Sequence, residues 1–465
     1  MKKGFYILLA AFMMLPSIVS AQQNLRSGYF LDGYIYKYKM NPAMAPERGF
    51  FAMPLLGNLS MAAETNLGIS TFLYPTESGT LTTFLSPRVS NEEFMSKISN
   101  NNKLNMNVDM SLLALGFRTV NMFHTIDLSV RADGGANVPG DFFEFMKVGG
   151  SLGKTSWDIS NIGLNASARA ELAYGLSRSF GDALRVGARA KLLLGLLNLD
   201  VSMDKVLLEM GADKWSVETN GNMMVSAPFT FNTRDNGAID LLTFDDSHVI
   251  ERLMDPSIGF ALDLGATYDF LDYFTASFSV LDLGFMSWKH TMTAAPRENG
   301  VYFEGFDLNE FSEIDDQLNE MMSDLAGAFS FWPNESGITK TSSLSATLNA
   351  GIEARMPFYE RLSFGMLYTQ KIHGAYSWSE GRFAANLAPT NWFSMTTNYA
   401  VSNFGHSWGG ALNLHLPGFG IFVGLDSFAP LFNVTPQFIP IDSVNTNLAF
   451  GINFAFGKYH GRFAK

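Results

Sequence analysis

Five charged residues recur at alternate positions of one predicted β-hairpin. They are Arg169, Glu171, Arg185, Arg189 and Lys191. Alternate residues of a strand point to the same face, so these side chains share one side of the hairpin. The cluster is net positive and could hold a carboxylate, either from a ligand or from another segment of the chain. The alternative is a structural ion-pair network in which Glu171 is the nearest partner of the cations.

Other predicted strands carry charges of both signs on the face that the hairpin cluster shares. These residues are Asp109, Asp127, Arg131, Asp133, Asp263, Glu353 and Arg355. Together with the hairpin they make six acids and six bases. A pore filter usually presents a ring of one sign, whereas balanced signs neutralise one another where an unpaired buried charge would be costly. The balanced signs of these charged residues favour a structural ion-pair network. A polar lining for a permeating solute is the second interpretation.

Residue patterns for catalysis are poor in this chain. The seven histidines do not have the spacing of metal ligands, and nothing singles out a pair of nucleophile and base. The absence of cysteine excludes disulfides and thiolate metal sites. The sequence therefore predicts no enzyme, with no catalytic residue, metal or cofactor. A formal net charge of -12 also disfavours nucleic acid as a partner.

The elements that must position these charges are long strands with one apolar face. In the hairpin, apolar residues from Leu164 to Leu176 alternate with polar or small ones, and the same alternation resumes from Leu184 to Leu194. Both arms exceed the roughly 9 to 11 residues that a membrane-spanning strand needs. The C-terminal stretch repeats the pattern, with Leu448, Phe450, Ile452, Phe454 and Phe456 on one face and Asn447, Ala449, Gly451, Asn453 and Ala455 on the other. This pattern predicts strands that face lipid on one side and a wet lumen on the other.

About fourteen such strands recur between residues 49 and 465, so we predict an all-β transmembrane antiparallel barrel. Only helices and closed barrels satisfy every backbone group in lipid, and charged residues make up only 16% of the chain. Long loops are expected at 66–103 and at 297–333, the second with an acidic helix. A change of phase at Leu113 predicts a bulge. The alternation of short turns and long loops fails between residues 198 and 256, which indicates an extra crossing or a missed one.

The N-terminus has the form of a cleavable signal peptide over residues 1–21. Lys2 and Lys3 precede an apolar stretch, and Val19-Ser20-Ala21 is a small-residue cleavage site. An exported barrel belongs in the outer membrane of a Gram-negative cell, with outer-membrane lipid as its partner.

A short motif before the first strand resembles a known family. Asn41-Pro42-Ala43-Met44, after an export signal, is similar to the plug motif of the long-chain fatty-acid transporter family, and the type IX secretion shuttle barrels share that architecture. The resemblance implies a fourteen-stranded barrel with an N-terminal plug, here residues 22–48, in which Asn41, Pro42 and Ala43 are plug elements. It also implies a hydrophobic ligand in an apolar pocket and a lateral exit through a kinked wall strand.

Within that group the chain resembles an uncharacterised family of outer-membrane proteins. The similar stretches are Asn137-Val138-Pro139, residues 191–197, residues 259–265, and residues 282–285 with Trp288-Lys289. Two functions are expected from these observations. The first is a passive channel for small hydrophobic compounds, and the alternative is a non-transporting scaffold or shuttle that binds exported proteins through its long loops.

Overall fold

A computed structural model describes residues 25–76, 80–149, 154–211, 215–297, 301–303, 327–428 and 444–460. The predicted signal peptide and the predicted acidic helix lie outside these residues. Within the described ranges, no helix combines the length and the apolar character needed to cross a membrane.

Strands dominate the described chain, and the helices are short. The strands are β1 Gly49–Ala52, β2 Leu59–Thr65, β3 Leu73–Pro75, β4 Leu81–Thr83, β5 Asn101–Arg118, β6 Phe123–Pro139, β7 Ser156–Asp158, β8 Ile162–Phe180, β9 Leu184–Met210, β10 Trp215–Ser226, β11 Thr230–Thr233, β12 Ile239–Asp245, β13 Ser257–Phe270, β14 Phe274–Ala295, β15 Val301–Phe303, β16 Trp332–Ser343, β17 Ala346–Met356, β18 Tyr359–Ile372, β19 Trp378–Leu387, β20 Phe393–Ser402, β21 Gly405–Leu416, β22 Phe419–Leu425 and β23 Val444–Phe456. The α-helices are α1 Ile69–Phe72, α2 Asn91–Met95, α3 Gly140–Val148 and α4 Val249–Met254. Single 3-10 turns cover Arg26–Gly28, Ile35–Lys39 and Gly374–Tyr376.

The main sheet closes on itself. The last strand, β23, pairs antiparallel with β1 and β2, and both of these pair on their other side with β5. The ring has fourteen wall positions, which confirms the predicted antiparallel barrel. The long connections after β2, β6, β14 and β22 lie at one end of the ring, together with short turns such as 403–404, and the described connections at the opposite end have two to five residues. In outer-membrane barrels the end that has only short turns faces the periplasm.

Five wall positions are each filled by two strands that run in the same direction: β1 with β2, β7 with β8, β10 with β13, β14 with β15, and β16 with β17. β1 and β2 flank residues 53–58, and β16 and β17 flank residues 344–345. β10 and β13 both pair with β9 and β14, so the intervening residues 227–256 form an excursion that carries β11, β12 and α4. The irregular loop alternation predicted between residues 198 and 256 has this cause. The chain leaves one wall position and returns to it without another crossing.

The predicted sidedness of the C-terminal strand is confirmed. Leu448 and Phe454 are 43% and 47% exposed, whereas Asn447 and Asn453 are 0% and 4% exposed. The polar residues therefore face the interior and the large apolar residues face outward. The predicted bulge in β5 is also confirmed, because the β5–β6 register shifts between Ser111 and Leu113.

Replacing an outward-facing residue with a charge tests this orientation. Phe454→Arg places a cation in the lipid-facing belt and should destabilise the barrel by about 2–4 kcal/mol if the site is near mid-bilayer. Reversible urea unfolding in lipid vesicles measures the effect. Val120→Arg is the control, because Val120 is 97% exposed in a tight turn and should tolerate the change. A neutral Phe454→Arg would mean that the strand register is inverted.

The barrel interior contains residues 25–48, which directly precede β1 and which we call the inner segment. Its aromatic and aliphatic residues form one buried cluster with wall residues such as Phe50 and Phe422. The cluster members from the inner segment are Leu25, Tyr29, Phe30, Leu31, Tyr34, Tyr36, Tyr38 and Met40. Aromatic rings pack edge to face across it, with the rings of Tyr34 and Phe422 4.9 Å apart.

Candidate functional site

Four of the five charged residues of the hairpin meet in one buried network. Arg169 Nη1 lies 2.7 Å from Asp133, and Glu171 lies 3.0 Å from Arg169 and 2.9 Å from Arg131. The fifth residue, Arg185, is 44% exposed and pairs instead with Asp269 near the tight-turn end. The structure therefore separates Arg185 from the rest of the predicted cluster.

The same network continues along the wall to the neighbouring strands β13 and β14. Lys191 Nζ lies 2.7 Å from Asp263 and 2.5 Å from Asp282. Arg189 lies 3.0 Å from Asp127 and 3.3 Å from Asp263. We call this set the lumen network, and its members are Asp127, Arg131, Asp133, Arg169, Glu171, Arg189, Lys191, Asp263, Asp282 and Lys371. Aspartates of neighbouring strands thus supply the carboxylates that the positive hairpin could hold.

Asp282 reaches this network through a bulge that the sequence analysis did not place. Two residues of β14, Leu281 and Asp282, stand opposite Asp263 alone, and the β13–β14 register shifts there. Asp282 has a φ of 58°, a conformation that Asp tolerates better than most residues. Its backbone N–H donates to the Asp263 carboxylate at 2.8 Å. The signal in the sequence is the phase change between Phe278 and Leu283, both of which face outward.

A second buried ion cluster holds the start of the inner segment. Arg26 lies 2.8 Å from Glu64, 3.3 Å from Glu380 and 3.7 Å from Asp426. Arg382 shares two of these acids, at 2.8 Å from Glu380 and 3.4 Å from Asp426. We call these five residues the Arg26 cluster. Sequence reasoning missed it because Arg26 lies in a segment without periodicity, although Glu64 and Glu380 have the parity of inward-facing strand positions.

Asn41, Pro42 and Ala43 form a turn pressed against β9, β13 and β14. The Asn41 amide donates to the carbonyl oxygens of Ala266 and Phe278, each at 3.3 Å, and its own side-chain oxygen accepts from the Ala43 N–H at 3.0 Å. The wall residues closest to this turn include two glycines, Gly187 and Gly265. A Cβ at Gly187 would lie 2.2 Å from the Pro42 carbonyl carbon, so only glycine lets the two backbones meet.

A cavity of about 280 Å³ lies beside the inner segment, between the two ion clusters. Arg26 and Met40 of the inner segment line it, as do Arg131 and Asp282 of the lumen network. One part of its lining is apolar and includes Met224, Leu281, Trp288 and Leu344. Trp288 also belongs to a buried apolar cluster of the wall, with Leu193, Ala261 and Met286. The cavity therefore offers both apolar surface and hydrogen-bonding groups.

Among the described residues, no group of acidic or histidine side chains is arranged to hold a metal ion.

Comparison with solved structures finds outer-membrane transporters at low identity. The Pseudomonas putida toluene transporter TodX is 9% identical, with a TM-score of 0.38, over 94% of this chain and 95% of that one. The Ralstonia pickettii toluene transporter TbuX is 9% identical, with a TM-score of 0.41, over 91% and 94% of the two chains. A Pseudomonas aeruginosa FadL homologue is 12% identical, with a TM-score of 0.41, over 94% and 99%.

Curated proteins give no match to this chain. A family model does match, over residues 42–426, which is most of the sequence and includes nearly the whole barrel. The chain belongs to the family of unknown function DUF5723.

Proposed function

We propose that this protein is a passive outer-membrane channel for small, largely apolar organic compounds and that the inner segment keeps it closed. The observation that carries the proposal is the position of the inner segment, which contacts the wall in several directions. Tyr36 Oη donates to the Gly57 carbonyl at 2.7 Å, Tyr38 Oη donates to Asp127 at 2.7 Å, and Lys39 donates to Asp109 at 3.0 Å. The Met40 carbonyl accepts from Ser279 on the opposite wall at 2.6 Å.

The inner segment can also move out of the lumen without breaking the hydrogen bonds between paired strands. Among the described residues, its links to the wall strands are side-chain contacts, and residues 25–46 share no backbone–backbone hydrogen bond with the wall. Its regular structure consists of two 3-10 turns, Arg26–Gly28 and Ile35–Lys39. A displacement would therefore break the Arg26 cluster and several hydrogen bonds but would leave the strand pairing of the ring intact.

A side exit toward lipid fits the interruption between β1 and β2. Met53, Leu55 and Leu56 are exposed on the outer surface there, at 37%, 51% and 42%. Gly57, in the same interruption, is the residue whose carbonyl Tyr36 binds. Moving the inner segment would release this contact and loosen the wall at a place that faces hydrocarbon. Compounds that partition into lipid are the cargo such an exit suits.

The charge distribution supports organic compounds over ions. The lumen network contains both signs in contact, whereas ion-selective pores present rings of one sign. The apolar wall cluster around Trp288 adds a surface on which an apolar compound can rest.

A scaffold function is the second candidate, and the ordered loop after β2 favours it. Phe72, Phe84, Phe94 and Phe143 join this loop to α3 in a buried cluster. Lys147 fastens it further by donating to the carbonyls of Phe84, Ser86 and Val89 at 2.6, 3.1 and 2.7 Å. The loop after β2, packed against α3 at the end of the barrel with the long connections, could bind an exported protein. Reproducible capture of one protein from outer membranes, lost when residues 66–99 are deleted, would support this candidate.

Uptake into vesicles tests the channel. The full chain is reconstituted into vesicles with a lipopolysaccharide outer leaflet, which slows the entry of apolar solutes through lipid alone. We expect faster entry of cyclohexanone and toluene than in protein-free vesicles, with no gain for inorganic ions. Equal rates with and without protein for every organic solute would contradict the proposal.

A further inference from the structure

One part of the outer wall surface is covered by protein. Met223 of β10 lies opposite Val201 of β9, which lies opposite Leu164 of β8, and residues opposite one another in a ladder share a face. Leu164 is 44% exposed on the outer surface, so Met223 also faces outward, yet it is 0% exposed. In β13, which fills the same wall position as β10, the outward-facing residues Ile258 and Phe260 are 41% and 55% exposed. The outer surface is therefore bare along β13 and covered along β10.

The excursion of residues 227–256 supplies part of this cover. Ala227, at its start, and Ile239, the first residue of β12, share a buried apolar cluster with Met223. Arg252 of α4 donates to the carbonyl oxygens of Ala227 and Phe229 at 3.1 and 2.9 Å, which fastens the helix to the first residues of the excursion. The excursion therefore packs against the outside of the barrel.

The free surface of the excursion is itself apolar. Its exposed large apolar residues are Leu241, Leu242, Phe244, Ile250, Leu253 and Met254. On α4, Ile250, Leu253 and Met254 are three and four residues apart, so they lie on one face of the helix. Ile250 and Met254 are 79% and 82% exposed. Large exposed apolar residues that are concentrated in this way mark an interaction surface.

The register of β13 sets the height of this surface on the barrel. The β9–β13 ladder runs from the Leu184–Tyr268 pair, at the end that has only short turns, to the Gly195–Ser257 pair, where the excursion rejoins the wall. A strand rises about 3.3 Å per residue and tilts about 40° in such barrels, so Ser257 lies roughly 28 Å above Tyr268. The apolar belt of an outer-membrane barrel is about 25 Å tall. The excursion therefore rejoins the wall at the upper edge of the belt.

The hairpin of β11 and β12 points its turn away from the belt. The Ile239 N–H donates to the Phe331 carbonyl at 2.8 Å. Phe331 is next to Trp332, which pairs with Ala295 at the end of β14 nearest the long connections. β12 therefore runs from that end down toward α4, and the turn before it, with the exposed Asp235, is the part of the excursion farthest from the belt.

An ion pair marks the boundary of the apolar surface at the wall. Asp255 directly follows Met254 and pairs with Lys289, and it also lies 3.2 Å from the His290 ring. Asp255 and Lys289 are both partly exposed. Lysine keeps its charged head at a polar boundary while its stem lies along apolar surface. The charges adjoin the upper edge of the belt, which is the level of lipid headgroups.

We propose that the excursion is embedded in the outer leaflet of the membrane, with α4 and the lower part of β12 among the lipid acyl chains. Lipid is the occupant because the apolar surface continues from Met254 into Ile258 and Phe260, which belong to the lipid-facing belt. Amphipathic segments bury their apolar face about 5–10 Å into the boundary between headgroups and acyl chains. The excursion would fix the depth of the barrel on the side of β9 to β14, whether or not the barrel transports anything.

Single nitroxide labels test the depth of this surface. The chain has no cysteine, so each cysteine substitution carries one label. Met254→Cys probes the apolar surface, Phe278→Cys on the outward face of β14 is the lipid reference, and Asp235→Cys is the matched water reference on the same excursion. The full chain is placed in phosphatidylcholine nanodiscs. Electron paramagnetic resonance then measures collisions with oxygen, which concentrates in hydrocarbon, and with a neutral nickel chelate, which stays in water.

We expect the Met254 label to behave as the Phe278 label does, with frequent oxygen collisions and few nickel collisions. Its ratio of oxygen to nickel collisions should exceed the Asp235 ratio about tenfold, which corresponds to about 1.4 kcal/mol of exclusion of the polar chelate from hydrocarbon. Heat-dependent gel mobility confirms that each variant is folded. Ile250→Cys, on the same face of α4, replaces Met254→Cys if that variant does not fold.

Two outcomes would overturn the inference. A Met254 ratio equal to the Asp235 ratio would place the surface in water. A Met254 label that neither reagent reaches would mean that a protein, such as a second copy of this chain, covers the surface in place of lipid. Neither measurement involves uptake, so failure of the proposed channel and failure of this inference are distinguishable.

Discussion

Deleting residues 22–44 should turn a closed barrel into an open pore. The inner segment contributes eight buried aromatic and aliphatic residues to a cluster inside the barrel. A fourteen-stranded barrel is wider than the eight-stranded kind whose own side chains fill it, so removing the segment should leave an aqueous path. Planar-bilayer recordings should change from no resolvable current to discrete conductance steps. Unchanged currents from a correctly folded deletion variant would contradict a plug.

A point substitution tests the same claim in a chain that keeps its full length, in case the deletion prevents folding. Arg26→Gln removes the inner segment's only charge from the Arg26 cluster, so the ion pairs that hold the start of the segment to Glu64, Glu380 and Asp426 of the wall are lost. We expect intermittent opening rather than a permanent pore. Lys205→Gln is the control, because Lys205 forms an ion pair with Glu218 in which both side chains are about half exposed, and such pairs contribute little. Openings of equal frequency in both variants would show that the Arg26 cluster does not hold the segment.

Asp263→Asn should be among the most destabilising single substitutions in the barrel wall. Asp263 is fully buried and accepts from Arg189, from Lys191 and from the backbone of Asp282. Removing one partner of a buried ion pair leaves uncompensated charge and costs about 3 kcal/mol or more. Asp263 also lies opposite the β14 bulge, so the substitution should change the orientation of the Asp282 side chain.

Denaturant unfolding in detergent measures this loss, with Glu218→Gln as the matched control at an exposed pair. We expect a clear fall in the unfolding midpoint for Asp263→Asn and almost none for Glu218→Gln. Equal midpoints would indicate that water in the lumen screens the network and that it contributes little to stability.

The wall of the barrel could be predicted from the sequence because its signal is local. Period-two alternation identifies the β8–β9 hairpin and the outward residues of β23 from neighbouring positions alone. The even strand count was obscured where β10 and β13 share one wall position, since two strand-like stretches then suggest two crossings.

The ion clusters could be predicted only in part, because their partners come from distant positions. Arg169, Glu171, Arg189 and Lys191 share a hairpin, so their proximity was evident. Asp282 was missed because a one-residue bulge changes which face a side chain points to. Arg26 was missed because its partner Asp426 is 400 residues away and no local pattern links them.

A removable tether between the inner segment and the wall tests the central claim most directly. The side chains of Ser27 and Asp426 are hydrogen-bonded to each other, and the chain has no native cysteine to interfere. In a Ser27→Cys, Asp426→Cys variant, the loss of the aspartate leaves two carboxylates, Glu64 and Glu380, facing the two cations Arg26 and Arg382, so neither arginine loses all of its acidic partners. Uptake of cyclohexanone into lipopolysaccharide vesicles is then measured before and after reduction of the disulfide. The account predicts no uptake above protein-free vesicles in the oxidised state and restored uptake after reduction, and equal uptake in both states would contradict it.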